Sequence, residues 1–178
     1  MPIEKNSANA QNRCVRRLRS VELDEIDHEL LALLQEDAGR TLRELGEAVR
    51  LSPSAVQRRI GRYQATGLMA RKVAVLDSRR VGGTLHAIVL VTLGHESTER
   101  HDALRARLLA APEVQQCYDV AGEWDYVVVL VANGMPHCRE LVARLFLDDP
   151  SIKRCETLPV FDAVKLGLGI PTPRIGWS

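Results

Sequence analysis

Apolar residues recur along the first third of the chain at intervals of three and four. Ile26, Leu30, Leu33 and Leu34 form one stripe of a 3.6-residue period and predict a first helix. Asp24 is placed to cap it, and Asp24, Glu25 and Asp27 lie in the first turn, where the helix dipole favours negative charge. Gly39 ends the segment. Leu42, Leu45 and Val49 repeat the pattern behind Thr41 and Glu44, which have the spacing of a capping box. Only Arg50-Leu51 then precedes Ser52-Pro53, a cap followed by proline at the first helical position. The third helix runs from Ser52 to about Thr66, with Val56, Ile60 and Tyr63 inward and Gly67 at its end. Two short helices joined by so short a turn cross steeply, which is helix-turn-helix geometry. Arg71–Leu76 alternates enough to predict a strand leading away from this head, its wing.

Beyond residue 83 the period changes. Leu85–Leu93 is almost wholly apolar and rich in β-branched residues, as a strand buried on both faces would be. Thr98–Ala111 returns to helical spacing and is stopped by Pro112. Val114–Ala121 and Trp124–Ala132 predict two strands joined tightly at Gly122-Glu123. Met135–Leu147 predicts a helix, and Ile152–Val164 a last strand. The order βαββαβ is that of the ferredoxin-like arrangement. The fold class is therefore α+β: an N-terminal winged helix-turn-helix and a C-terminal ferredoxin-like βαββαβ domain. The expected boundaries are a disordered tail over 1–21, the head over 22–76, a linker over 77–83, the second domain over 84–170, and a short tail over 171–178. Val127, Val129 and Val131 alternate with the inward positions, so both faces of that strand are apolar. An open apolar sheet face predicts association of like chains, at least a homodimer.

Charge refines the picture. The formal net charge over 178 residues is only +1, which argues against a nucleic-acid binder until it is located. Residues 21–49 carry Arg40 and Arg43 against nine acids. Residues 50–80 carry Arg50, Arg58, Arg59, Arg62, Arg71, Lys72, Arg79 and Arg80 against Asp77 alone. Such a block suits phosphate binding. The third helix contains no acid at all. Ser54, Gln57, Arg58 and Arg62 project from the side opposite its apolar stripe or from the flanks, as a major-groove reader requires. A solvated basic face is the alternative for the same residues.

Other chemistries find little support. The longest apolar run, Tyr126–Ala132, is far shorter than the ~20 residues of a membrane span. The basic N-terminus lacks an apolar stretch and is no secretory signal. Cys14, Cys117, Cys138 and Cys155 show no CxxC pairing, and the five histidines form no HExxH. Phosphate-loop, dinucleotide and nucleophile-elbow signatures are absent. The expectation is a cytoplasmic, metal-free protein that is not an enzyme and carries no cofactor.

The stretch Leu23–Met69, above all LSPSAVQRRIGRYQATG, resembles the DNA-binding head of the Lrp/AsnC, or feast/famine, transcription regulators. The likeness covers roughly residues 22–170. It implies a sequence-specific regulator of amino-acid metabolism that binds double-stranded DNA, assembles from dimers into tetramers or octamers, and responds to a small effector such as an amino acid. An effector-independent architectural DNA-binding protein is the alternative. The DNA-contacting set would be Arg50, Ser52, Ser54, Gln57, Arg58, Arg59 and Arg62. Arg58 and Gln57 would reach base edges, while Arg50, Arg59 and Arg62 mainly position phosphates.

Two departures mark the head. Arg50 stands where the family often has glycine, and Ser78 replaces a linker proline. Val120–Tyr126 (VAGEWDY) resembles the family's Gly-x-x-Asp-Tyr effector motif. It implies an effector site at Gly122, Glu123, Trp124, Asp125 and Thr157. Asp125 would meet an ammonium, and the Gly122-Glu123 backbone with Thr157 a carboxylate. A plain hairpin turn is the other reading of Gly122 and Asp125. Cys155-Glu156-Thr157 departs from the Thr-x-Thr of amino-acid-responsive relatives, and cysteine is the weaker donor. Val164–Pro171 resembles branches that regulate branched-chain amino-acid catabolism.

Overall fold

The computed structural model describes residues 21–94 and 97–172. The expected N-terminal tail, apart from Val21, and the chain beyond Thr172 lie outside the described residues. Contacts divide the chain into two compact units, one reaching Ala74 and including the segment from Gly167, the other spanning Val75–Leu166.

The head is three helices: α1 Glu25–Glu36, α2 Leu42–Val49 and α3 Pro53–Ala65. Both predicted N-terminal devices form. The Thr41 side chain accepts from the Glu44 N–H while Glu44 accepts from the Thr41 N–H. At α1 the same reciprocal pair is Asp24 and Asp27. Helix α1 ends at Glu36, before Gly39, with the Asp37 carboxylate turned onto the Gly39 N–H. The core gathers Leu30, Leu31 and Leu34 from α1, Leu45 and Val49 from α2, and Val56, Ile60 and Tyr63 from α3. Leu31, not Leu33, completes the buried stripe of α1. The α2–α3 turn brings the Leu51 N–H to the Gly46 carbonyl at 2.9 Å. A Cβ on Gly46 would lie 2.5 Å from the Leu51 carbonyl oxygen, so glycine is what lets the two helices close. Gly167–Thr172 belongs with this unit: the Gln35 amide brackets the Ile170 backbone at 2.6 and 2.9 Å, and Thr172 donates to the His28 carbonyl.

The predicted wing strand does not form. Residues 70–77 carry no regular secondary structure, and Val73, Val75 and Leu76 are exposed. A strand needs a neighbour for its backbone hydrogen bonds, and among the described residues no strand pairs with them.

The second unit opens with the short helix α4 Ser78–Val81, then β1 Thr84–Leu93, α5 Thr98–Ala110, β2 Val114–Asp119, β3 Tyr126–Asn133, α6 Gly134–Val142 and β4 Ile152–Pro159. Helix α6 continues through one wider turn over Ala143–Leu147. The sheet is antiparallel in the order β2-β3-β1-β4, the ferredoxin-like topology. Ala87, Val89, Val91, Tyr126, Val128 and Leu130 pack beneath Leu104, Leu108, Leu141 and Phe146 of the helical layer. The alternate residues Ile88, Leu90, Val127, Val129 and Val131 are only half-buried on the uncovered face. Strand β1 matches its predicted span to within one residue, whereas β2, β3 and β4 are shorter than predicted. The β2–β3 connection takes Val120–Asp125, closed by the Val120 N–H on the Asp125 carbonyl, so Trp124 precedes the strand. Strand β4 stops at Pro159, just past which the Val160 N–H makes a last bond to the His86 carbonyl at 2.9 Å, and residues 161–170 are exposed.

Candidate nucleic-acid interface and effector loop

Helix α3 presents Ser54, Gln57 and Arg58 to solvent, with Ser52 and Arg50 at its entry. The Ser52 hydroxyl caps the helix by accepting from the Ala55 N–H and also contacts the Ser54 hydroxyl. Proline at the first turn needs no N–H partner there. Arg50 is the C-cap of α2 with φ 57° and ψ 42°, a left-handed conformation that glycine adopts freely and arginine does not. The strain, about 1 kcal/mol, secures an exposed guanidinium beside the recognition helix. Among the described residues, Arg50 and Arg58 enter no ion pair.

Arg59 and Arg62 are placed differently. Arg59 donates to Asp24 at 2.9 Å and to Asp27 at 2.5 Å, and its side chain is only 22% exposed. Arg62 pairs with the other oxygen of Asp27 and lies 5.6 Å over the Tyr63 ring. The Tyr63 hydroxyl donates to Asp27 at 2.6 Å. Asp27 is thus a buried carboxylate, 1% exposed, with a donor from Tyr63 and Arg59 on one oxygen and from Arg62 and the Asp24 N–H on the other. Burial alone would raise its pKa, but the Tyr63 hydroxyl, the Asp24 N–H and the two guanidiniums outweigh it and hold the carboxyl well below the usual range. Burial, reinforced by the Asp27 charge, pushes Tyr63 upward. The patterning of α1 contained the signal for this cluster: Asp27 sits three and four residues before Leu30 and Leu31, an acid on the apolar stripe.

The effector-motif loop is tied to the sheet. The Asp125 carboxylate accepts the Leu93 N–H at 2.7 Å, and the Asp125 N–H donates to the Val91 carbonyl at 2.9 Å. Thr92 donates to the Glu123 carbonyl. Asp125 therefore closes the loop against β1, with one carboxylate oxygen engaged. Arg154 of β4, which the residue patterns did not single out, joins the site. Its guanidinium stacks 4.0 Å from the Trp124 ring, pairs with Glu123 at 2.6 Å and reaches Glu156 at 3.2 Å. Gly122, Glu123, Trp124 and Asp125 are thus brought together with Arg154. Thr157 is not: it opposes Val89 on the helix-covered face, with β1 between it and the loop. Cys155 shares that face opposite Val91, whereas Glu156 opposes Leu90 on the uncovered one. Among the described residues, no group of three His, Cys, Asp or Glu side chains could hold a metal, and no helix is long and apolar enough to cross a membrane.

Comparison with known proteins agrees with this geometry. Residues 23–64 match the AsnC-type helix-turn-helix domain, and residues 86–169 the Lrp/AsnC ligand binding domain. The DNA-binding transcriptional activator DecR of Escherichia coli is 32% identical over 149 residues, spanning 84% of this chain and 98% of DecR. The glutamate uptake regulatory protein of Zymomonas mobilis is 35% identical, over 72% of this chain and 81% of its own. A transcriptional regulator from Neisseria meningitidis, solved as an L-Met complex, superposes with a TM-score of 0.78 at 27% identity, over 84% of this chain and 97% of that one.

Proposed function

The chain belongs to the Lrp/AsnC family of transcriptional regulators, and from that membership we propose a cytoplasmic, non-enzymatic homo-oligomer that reads DNA through α3 in response to an amino acid. The observation that carries the reading is the exposed, acid-free Ser54–Gln57–Arg58 face of α3, flanked by Arg50. Gln57 and Arg58 meet base edges in the major groove, Arg58 in the bidentate manner that suits guanine. Arg50, Ser52 and Ser54 hold phosphates and set register. Two heads per dimer read half-sites about one helical turn apart, ~34 Å. The uncovered sheet face of Ile88, Leu90, Val127, Val129 and Val131 supplies the homodimer contact, and dimers assemble further into tetramers or octamers.

The effector is an amino acid bound at the Gly122–Asp125 loop, a reading supported by the L-Met complex of the Neisseria relative. Asp125 acts there mainly as the clasp that shapes the loop, while Glu123, Trp124 and Arg154 form its outward surface. Selection of bound duplexes from a random pool, followed by calorimetry against the twenty amino acids, tests both halves. A recurrent two-half-site sequence and at least one binding amino acid are expected. Sequence-indifferent binding with no amino-acid heat would instead identify an architectural DNA-binding protein.

A further inference from the structure

We propose that Asp27 is the positioning residue of the recognition helix, withholding Arg59 and Arg62 from DNA phosphates so that readout falls to Gln57 and Arg58. The inference rests on the DNA-binding role of α3 and adds which of its cations are spent inside the head. Three arginines lie on α3, and by charge alone each is equivalent for phosphate binding. The geometry separates them. Arg59 and Arg62 converge on a carboxylate that is buried at the α1–α3 contact and already accepts from Tyr63 and the Asp24 N–H. Both oxygens of Asp27 are filled, and Asp24 adds a second acid to Arg59. Two guanidiniums meet two carboxylates, so the cluster is formally neutral. Arg58, immediately before Arg59 in sequence, is exposed to solvent and enters no ion pair among the described residues.

Removing either arginine from Asp27 would leave a buried charge short of donors, so the head keeps them in place when DNA arrives. This arrangement affects specificity more than affinity. Phosphate contacts raise binding to every sequence alike, whereas base contacts discriminate. A head that neutralises two of its three helix arginines lowers its indiscriminate affinity and leaves its discriminating contacts intact. Holding both ends of the Asp27 carboxylate also fixes how far α3 rotates about its axis, and that rotation sets which bases Gln57 and Arg58 reach.

The test uses the full chain, a duplex obtained by selection from a random pool, and a scrambled duplex of the same composition. Fluorescence anisotropy is read from 50 to 300 mM salt for wild type, Asp27→Asn and Arg62→Gln, with circular dichroism confirming that each is folded. Each phosphate contact contributes about 0.9 to the slope of log affinity against log salt. Arg62→Gln is expected to leave that slope unchanged on both duplexes. Asp27→Asn, by freeing its arginines, is expected to steepen the slope on scrambled DNA by about 0.9 to 1.8 per head and to lower the ratio of selected to scrambled affinity at least fivefold. A merely structural Asp27 would weaken binding to both duplexes with no change of slope, and that result overturns the proposal. A slope reduced by about 0.9 per head in Arg62→Gln also overturns it, because Arg62 would then be a phosphate ligand in the wild type. If Asp27→Asn does not fold, Arg62→Gln decides alone. Wild type that fails to bind either duplex would refute the DNA-reading role itself, a different outcome from any change of slope.

Discussion

Arg50 shows what one residue can do against its local preference. Its left-handed backbone would suit glycine, yet its side chain adds a cation next to α3 that enters no ion pair among the described residues. Arg50→Gly is expected to raise head stability by about 1 kcal/mol while lowering affinity for all duplexes alike; thermal denaturation and anisotropy on two unrelated sequences would show the two effects together. Arg58→Ala is expected to cost about 1–3 kcal/mol of operator binding and to relax a single base position. An equal loss on every sequence would return Arg58 to the phosphate-positioning class. The turn conformation at Arg50 follows from the family resemblance, and the exposure of Arg58 from helical periodicity. The fate of Arg59 and Arg62 does not follow from either. Helical angles place them at the flank of α3, and only the packing of α1 against α3 decides whether a flank meets water or a buried carboxylate.

At the scale of elements, local rules carried far. The Asp24 cap, the Thr41–Glu44 capping box, proline at the start of α3 and the stripes of α2 and α3 appear as the spacing implies, whereas α1 buries Leu31 in place of Leu33. Gly46 adds a constraint that spacing does not express, since only the approach of Leu51 to α2 makes a side chain intolerable there. Gly46→Ala is expected to destabilise the head by about 1–3 kcal/mol, as overpacking does, with loss of DNA binding at temperatures where the sheet unit still melts cooperatively. In that sheet unit, Asp149 pairs with Arg107 at 2.5 Å and accepts from the Ser151 N–H. Burial opposes ionisation, but the Ser151 and Arg107 hydrogen bonds hold the carboxyl down to about 2. A depressed carboxylate contributes stability that is present above its unfolded value of 3.8 and is lost as pH falls through the folded one. Asp149→Asn should therefore be less stable than wild type by about 2 kcal/mol at pH 6, the gap closing between about pH 4 and 2; chemical denaturation across that range reads it. Strand ends were the least legible elements. The wing segment alternates as a strand does, but alternation cannot provide a neighbour, and β4 ends at Pro159 although apolar residues continue to Val164.

For the whole molecule, a net charge of +1 conceals opposite regions, and the structure reduces even the basic one. Two of its arginines are neutralised by Asp24 and Asp27, and Arg79 and Arg80 both contact Asp77. The cations left on the reading face are few, so specificity rests on placement more than on charge density. The uncovered sheet face was readable from both-sided apolarity in β3, because alternation within a strand assigns faces directly. Arg154 was not, because β3 and α6 separate it in sequence from its partner Trp124, and the two meet only through the β3-β1-β4 order. Val129→Glu, placing a charge at the centre of the open face, is expected to shift the chain to monomers in light scattering while its circular dichroism stays that of the folded protein. The most direct test of the whole account is operator affinity measured with and without the amino acid that binds best. Linkage requires the effector to favour one assembly over another, and a change of roughly fivefold or more in affinity, accompanied by a shift in oligomer size, is predicted. Identical affinity and size with the binding site saturated would contradict it.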